Sequence, residues 1–552
     1  TPPTGYYYGT EYTNAEEIIT AKQDYAASHA THVTGIAAGA YKGNEYYGIA
    51  PDADLVFVSY NVSDNSSSNT SITDGIKYIY DYAESVGKPC VINMSLGYHI
   101  GPHDGTSTFD RICDELQGEG RLLVGASGNE AEYNIHATKT LKKGDTNMKS
   151  LVEFVSNWYL YGSMTSTVDI WGDAEKQLSA RVFIYDILNK KEVYSSESFS
   201  TAASASKKIS NPTGADGNIY ISTATNPYNK KGNITIDLNL SSFDNRNYYI
   251  GFEISGPEET TINAWTDAYM SWLSNFGNSE FTNGDNNSTM GEIGGTGKRI
   301  ITVGAYTSCN YIEHKNSSMW NNSGQTLNQL VSFSSLGPTA DGRMKPDITA
   351  PGSMLISSFN SSTSSNRNGE DYNYVVKQEN VNTVNYYYGS MEGTSMATPV
   401  VTGVLATWLQ ANPKLTPEQV REILSNTATT DSYTGNIAGV GNNRWGYGKI
   451  NAYDGLVYCL NHSGIEQIGT PTRPMVYPNP ATDICYFLLQ NDDKNINVSI
   501  YTLNGTEIYS RYMGNINAGE QNQLDLSDLA AGIYFIHITG DKTNMTTKLT
   551  IK

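Results

Sequence analysis

The chain has 552 residues, enough for three or four domains of about 100–200 residues each. Apolar residues make up 38 %, so real cores can be buried and bulk disorder is excluded. The balance of 36 basic against 56 acidic residues, a net charge of −20, argues against a nucleic-acid partner.

No stretch approaches about 18 uninterrupted apolar residues, so no membrane span is expected. The sequence opens Thr1-Pro2-Pro3 without a basic or apolar leader, and any export signal is expected to have been removed or to lie upstream. Five scattered cysteines, with no CxxC pair and an odd total, argue against a disulfide framework or a zinc ribbon.

In chain order, residues 1–136 read as alternating strands and helices. Asp54–Tyr60 is a short apolar run suited to a buried parallel strand. Thr73–Ser85 has helical spacing at Ile76, Ile79, Tyr80 and Ala83, with Gly87 as its stop. Cys90–Ser95 is a second strand, Thr108–Glu119 a helix and Arg121–Ala126 a third strand, which together imply right-handed βαβ units and a parallel sheet. From 137 to 277 the period changes to two, as in Ser179–Tyr185, Gly217–Ser222, Asn233–Asn239 and Tyr248–Ile254, and an inserted β-sandwich is expected. The α/β texture resumes at Arg299–Ala305 and runs through a helix over 395–411. A second helix follows, with Thr416 as N-cap and Pro417 at its first position. Polar stretches near 311–330 and 359–390 read as long loops. Residues 461–473 read as a linker, and 474–552 as all-β.

Four short segments carry polar side chains suited to acyl transfer: Ser28–Gly39, Asn93–Gly97, Gly125–Asn129 and Gly393–Pro399. That chemistry needs a hydroxyl nucleophile, an imidazole base and donors aimed at the developing oxyanion. Ser395 would sit at a helix N-terminus, where orphan N–H groups favour negative charge. Asn129, in a turn after a buried strand, would stand at the edge where α/β sheets place ligands.

The motifs His29-Ala-Thr-His-Val-Thr-Gly35 and Gly393-Thr-Ser-Met-Ala-Thr-Pro399, with Ser332–Gly352 and Trp445–Asn451, resemble those of the subtilisin-like serine proteases (peptidase S8). The resemblance implies an α/β fold: a subtilisin-like parallel sheet flanked by helices over 1–136 and 278–460. It is interrupted by the all-β sandwich 137–277 and followed by a C-terminal all-β sandwich. By that resemblance His29 is the general base, Ser395 the nucleophile and Asn129 the oxyanion donor of a serine endopeptidase. Ser95, Leu96 and Gly97 would bind a polypeptide substrate as an added strand. His29 and Ser395 stand 366 residues apart, against about 157 in subtilisin, and the insertion accounts for most of the surplus. An upstream pro-segment is also implied.

Two positions depart from the family pattern. Ala30 replaces the glycine after the base, and no Asp-Ser/Thr-Gly strand end precedes His29. Asp24 is the only aspartate there and is not assigned the role, so the orienting acid is expected upstream of Thr1. Lacking it, the chain would be a catalytically impaired binding protein on a protease scaffold. No zinc site is expected, because His29 and His32 lack the glutamate of H-E-x-x-H. His99 and His103 read as surface residues. No cofactor is expected; structural calcium is left open and assigned to no residues.

Val476–Asp483, Val498–Gly505, Leu526–Ile538 and the ending Lys548–Lys552 resemble the C-terminal sorting domain of type IX secretion. That implies passage through the type IX machinery, to the outer surface of a Gram-negative bacterium or beyond.

Overall fold

The computed structural model describes residues 2–552 except 22–26, 42, 60–69, 156–163, 211–215, 244–245, 268–269, 463–474, 490 and 503–505. Asp24, Tyr60, most of the expected linker and the end of the Val498–Gly505 motif lie outside the described residues. The chain divides into two units, Thr1–Asn461 and His462–Lys552.

The first unit opens with α1 (Ala15–Ala21), α2 (His29–Ala38), α3 (Thr70–Ser85), β1 (Cys90–Met94), α4 (Thr108–Leu116) and β2 (Arg121–Ala126). After the insertion come α5 (Glu292–Gly295), β15 (Ile301–Tyr306), β16 (Ile348–Pro351), α7 (Thr394–Ala411), α8 (Pro417–Thr427) and α9 (Ala452–His462). The four strands form one parallel sheet in the order β1-β2-β15-β16. Helices cover both faces, so the strands are apolar throughout. Along β2 the alternation is visible: Leu122 and Val124 pack with Val401, Leu405 and Trp408 of α7, while Leu123 packs with Ile76, Tyr80 and Phe109 of α3 and α4. Thr416 caps α8 through a full capping box with Gln419, and Pro417 follows it.

Four expectations need correction here. Residues 54–59 form no strand, and Leu55, Phe57 and Val58 are exposed. A parallel strand needs a neighbour to take its N–H and C=O groups; among the described residues nothing pairs with the outer edge of β1. The stretch 359–390 is not a loop. β17 (Leu355–Phe359), the one-turn α6 (Ser361–Ser364), β18 (Val375–Val381) and β19 (Val384–Met391) fill it, and the strands pair antiparallel in the order β17-β19-β18. The helix at 108 ends at Leu116, where Gln117 turns extended. Residues 461 and 462 belong to α9 rather than to a linker.

The insertion is a sandwich of two antiparallel sheets. Its strands are β3 (His136–Thr140), β4 (Asn147–Phe154), β5 (Met164–Ala174), β6 (Ser179–Asp186), β7 (Lys191–Ser195), β8 (Phe199–Ser200) and β9 (Ala205–Ser210). The rest are β10 (Asp216–Thr225), β11 (Lys231–Ser242), β12 (Tyr248–Ser255), β13 (Thr261–Thr266) and β14 (Ser271–Ser274). One sheet runs β3-β13-β5-β11-β10-β9 and the other β14-β4-β12-β6-β7, with β8 against β6. Val168, Ile170, Ile234 and Ile236 of the first meet Val182, Ile250, Phe252 and Ile254 of the second in one core.

The second unit is likewise all-β. β20 (Met475–Tyr477), β21 (Ile484–Leu488) and β24 (Asn522–Asp525) form one sheet. β22 (Asp493–Tyr501), β23 (Glu507–Ile516), β25 (Gly532–Thr539) and β26 (Asn544–Ile551) form the other. Alternate residues such as Val498, Ile500, Ile536 and Ile538 are fully buried between them.

Candidate active site

Ser395 stands at the second position of α7, where its backbone N–H has no acceptor within the helix. Gly393 caps the helix at φ +146°, a conformation that side chains rarely adopt. Pro399 sits one turn further on. Having no N–H, it cannot donate to the carbonyl of Ser395 four residues back. That carbonyl accepts instead from Ser95 Oγ at 2.8 Å. Behind Ser95 the donors run in sequence: Thr402 Oγ1 to Asn93 Oδ1 at 3.0 Å, then Asn93 Nδ2 to Ser95 Oγ at 3.0 Å. The end of β1 is thereby tied to the start of α7.

Asn129 follows β2 across the turn Ser127-Gly128. Its Oδ1 accepts from the N–H of Thr394 at 2.9 Å and from Thr394 Oγ1 at 3.0 Å. A backbone N–H donates only to an acceptor, so the amide is oriented with Oδ1 toward the helix start, and Nδ2 is left as its donor. Asn129, Ser395, Leu96 and Gly97 line one cleft of about 380 Å³. Thr394, Pro399 and Asn93 lie in segments marked out from sequence but were given no role there; the missing N–H of Pro399 is the signal that the Ser395 carbonyl would need another donor.

His29 is the first residue of α2 and is not among the residues lining the cleft. It is held nearby through the helix: Val33, one turn on, packs against Met396. The residue is solvent-exposed, yet the protein around its ring desolvates it enough to lower its pKa. Among the described residues no hydrogen bond joins the ring to Ser395 and no carboxylate contacts it. Catalytic hydrogen bonds are often loose until substrate binds. Ala30 is exposed. His32 has a different part. It is fully buried, Nε2 lies 3.0 Å from Leu355 O and 3.1 Å from Gly389 O, and burial lowers its pKa to about 4. This neutral ring ties α2 to β17 and β19.

The cleft's walls are Leu96–Ile100 and Ala126–Glu130, and its back is supplied by the insertion through Thr167, Asp169, Trp265, Thr266 and Asp267. His99 and His103 are therefore not surface residues. His103 is buried, stacks on Trp265 at 4.1 Å and lies with Nδ1 2.9 Å from Met290 O; His99 is largely covered. Their reading failed because the wall that buries them comes from β13, more than 150 residues further on. Among the described residues no three His, Cys, Asp or Glu side chains are grouped to hold a metal ion.

The pattern of the subtilase family matches residues 7–262 and 179–448, and that of a secretion system C-terminal sorting domain matches 475–552. Serine protease AprX of Bacillus subtilis is 36 % identical over 159 residues, 29 % of this chain and 30 % of AprX. The uncharacterized protein aq_aa18 of Aquifex aeolicus is 39 % identical over 137 residues, 25 % of this chain and 53 % of its own length. The chain thus spans less than a third of AprX and about half of aq_aa18. The structure of the Clostridium perfringens CspB protease aligns with a TM-score of 0.59 at 19 % identity, covering 81 % of this chain and 84 % of that one. With the CspB fold and the subtilase pattern spread over both halves of the interrupted α/β unit, the chain belongs to the subtilase family and ends in a secretion system C-terminal sorting domain.

Proposed function

We propose that the protein is a secreted serine endopeptidase working through an acyl-enzyme on Ser395. The observation that carries the reading is the Thr394 N–H to Asn129 Oδ1 bond, which reserves Asn129 Nδ2 as a donor in the cleft that Ser395 lines. Ser395 Oγ attacks the scissile carbonyl and its proton passes to His29. Asn129 Nδ2 and the Ser395 N–H stabilise the oxyanion. His29 returns the proton to the leaving amine, and water then releases the acyl group. Leu96 and Gly97, beyond the end of β1, pair with the peptide backbone; Ser95 takes part through the Ser395 carbonyl as well. The sorting domain directs the protein through type IX secretion to the outer surface of a Gram-negative bacterium or beyond.

The acid that orients His29 is proposed to come from a segment outside Thr1–Lys552, such as an upstream or pro-segment piece. The edge of β1, unpaired among the described residues, and the exposed Leu55, Phe57 and Val58 support a further strand on that side. The lack of a carboxylate at His29 among the described residues also favours a second reading, a binding protein on an impaired protease scaffold. A fluorophosphonate probe separates the two. The peptidase reading expects a covalent adduct on Ser395, lost in Ser395→Ala; an unlabelled full-length protein would leave the binding reading standing.

A further inference from the structure

Taking the cleft beside Ser395 as the seat of the residue whose carbonyl is attacked, which rests on the peptidase reading, we infer that the inserted sandwich makes it a receptor for a basic side chain, so that the scissile bond follows lysine or arginine. The cleft is a built cavity continuous with Ser395 and Asn129, and its volume of about 380 Å³ is within the range of specific ligand sites. A substrate carbonyl held between Ser395 Oγ and the oxyanion donors has its own side chain directed into this space. Leu96, Ile100 and Trp265 give the walls apolar surface along which an alkyl stem can run.

The charge at the back of the cleft comes from the insertion. Asp169 of β5 is 1 % exposed. It accepts from Gly101 N at 2.8 Å, Trp171 Nε1 at 2.7 Å, Asn233 Nδ2 at 2.8 Å and Thr235 Oγ1 at 3.2 Å. All four donors are neutral. They fix the carboxylate in place, and among the described residues no cation pairs with it. Asp237 stands behind the cleft-lining Thr167, whose Oγ1 donates to it at 2.8 Å, and Asp267 lines the cleft from an exposed position. No Lys or Arg lines the cleft among the described residues, and His99 lies against Glu130, 3.5 Å from Nε2 to Oε2. The field of these carboxylates is felt at the wall: the Tyr98 phenol is pushed up by burial first and then by Asp169, Asp237 and Asp267. A guanidinium or ammonium entering the cleft would meet the Asp169 carboxylate, whose four hydrogen-bond donors are neutral, whereas an acidic side chain would meet repulsion from the carboxylates around the cleft.

Peptide binding to the full-length Ser395→Ala variant tests this without turnover. N-acetylated tripeptides ending in arginine, lysine, leucine or glutamate are titrated by calorimetry at low and high salt. Arginine and lysine are expected to bind at least about tenfold tighter than leucine, with the margin shrinking in salt. Asp267→Asn, at an exposed position, should cut the margin several-fold, and Asp169→Asn should cut it further if that buried site still folds. Equal or tighter binding of the leucine peptide, or an unchanged margin in Asp267→Asn together with Asp237→Asn, overturns the inference. Loss of fluorophosphonate labelling in the unmutated protein would strike the peptidase reading alone, because the binding preference is read in a variant that performs no chemistry.

Discussion

On the β16 side of the parallel sheet, a buried carboxylate is surrounded by partners. Asp347 Oδ2 accepts from Lys345 Nζ and from the N–H of Thr302, each at 2.7 Å, and Oδ1 accepts from Arg421 Nε at 2.7 Å. On the β1 side, Asp110 and Glu292 are both buried and meet across Thr296 Oγ1, 2.9 Å and 3.2 Å from their oxygens. Asp110 Oδ1 and Glu292 Oε1 have no hydrogen-bond partner, and among the described residues no cation touches either acid. Among the described residues the outer edge of β1 is also unpaired, and Leu55 and Phe57 face solvent. One flank is finished and the other is not. Ser395 and Asn129 are held where the ends of β1 and β2 meet the start of α7, by Ser95 Oγ on the Ser395 carbonyl and the Thr394 N–H on Asn129 Oδ1. His29 opens α2, which is positioned by Val33 packing on Met396 and by His32 bonding to β17 and β19. The nucleophile and oxyanion donors are thus fixed by hydrogen bonds of their own, while the base is set by its helix, with no carboxylate against it among the described residues.

The largest effect separates the flanks directly. Ser395→Ala is expected to abolish fluorophosphonate labelling. His29→Ala should slow labelling by only about 10², because no carboxylate orients the imidazole among the described residues and an unoriented imidazole gives up most of the roughly 10⁶ that a complete triad supplies. A full loss of about 10⁶ on His29→Ala, read from labelling rates, would show that the base flank is already complete and break the comparison.

Next comes stability on the finished side. Asp347→Ala leaves Lys345 and Arg421 buried without their counter-charge and should cost about 3–5 kcal/mol, measured by urea unfolding. The two cations, working against burial, hold the Asp347 carboxyl well below the usual range. A depressed carboxylate contributes stability above the unfolded-state value near pH 4 and loses it as pH falls. The deficit of Asp347→Ala should therefore shrink in acid. An equal deficit at pH 3 and pH 7 would mean that packing, not charge, carries the cost.

Smaller still is the tie across the two flanks. Ser95→Ala deprives the Ser395 carbonyl of its donor and is expected to slow labelling by about 5–100-fold, the scale of one unmet buried group. Pro399→Ala restores a backbone N–H one turn below that carbonyl. The double variant should recover most of the rate through the ordinary helical bond. If Pro399→Ala fails to rescue Ser95→Ala although both proteins fold, the hydroxyl is acting elsewhere in the cleft.

How much of this was legible in the sequence follows from the range of the interactions. Thr416-Pro417 announced the start of α8 because capping is decided within four residues. The runs at 121–126 and 301–306 read as strands because β2 and β15 are buried on both faces. Asp54–Tyr60 has the same apolar texture, yet residues 54–59 stay irregular, because a strand also depends on a neighbour that no local pattern encodes. The tyrosines at 386–388 lie in a polar stretch that read as loop, and they pair into β19 only because β17 and β18 flank them. His99 and His103 went astray for the same reason, since Trp265 reaches them from the insertion. The motifs around His29, Asn129 and Ser395 were readable as a set. That Asn129's amide is turned by Thr394, and that Ser95 serves the Ser395 carbonyl, depended on contacts spanning 265 and 300 residues.

The smallest effect concerns the unfinished flank's own acids. Burial pushes both Asp110 and Glu292 up, and the Asp110 charge raises Glu292 further. At low pH the folded and unfolded chains both carry these protons. Above about pH 4 the unfolded chain releases them while the folded one resists, so stability is lost as pH rises, opposite in sign to Asp347. Asp110→Asn keeps an acceptor for Thr296 and offers its amide N–H to Glu292, while removing one of the two charges. It should leave Tm nearly unchanged at pH 4 and raise it at pH 8, by about 2–4 °C for each kcal/mol relieved. Scanning calorimetry at the two values decides it. A Tm lowered equally at both would mean that the shared proton holds α4 and α5 together, and that this flank too is finished in its own way.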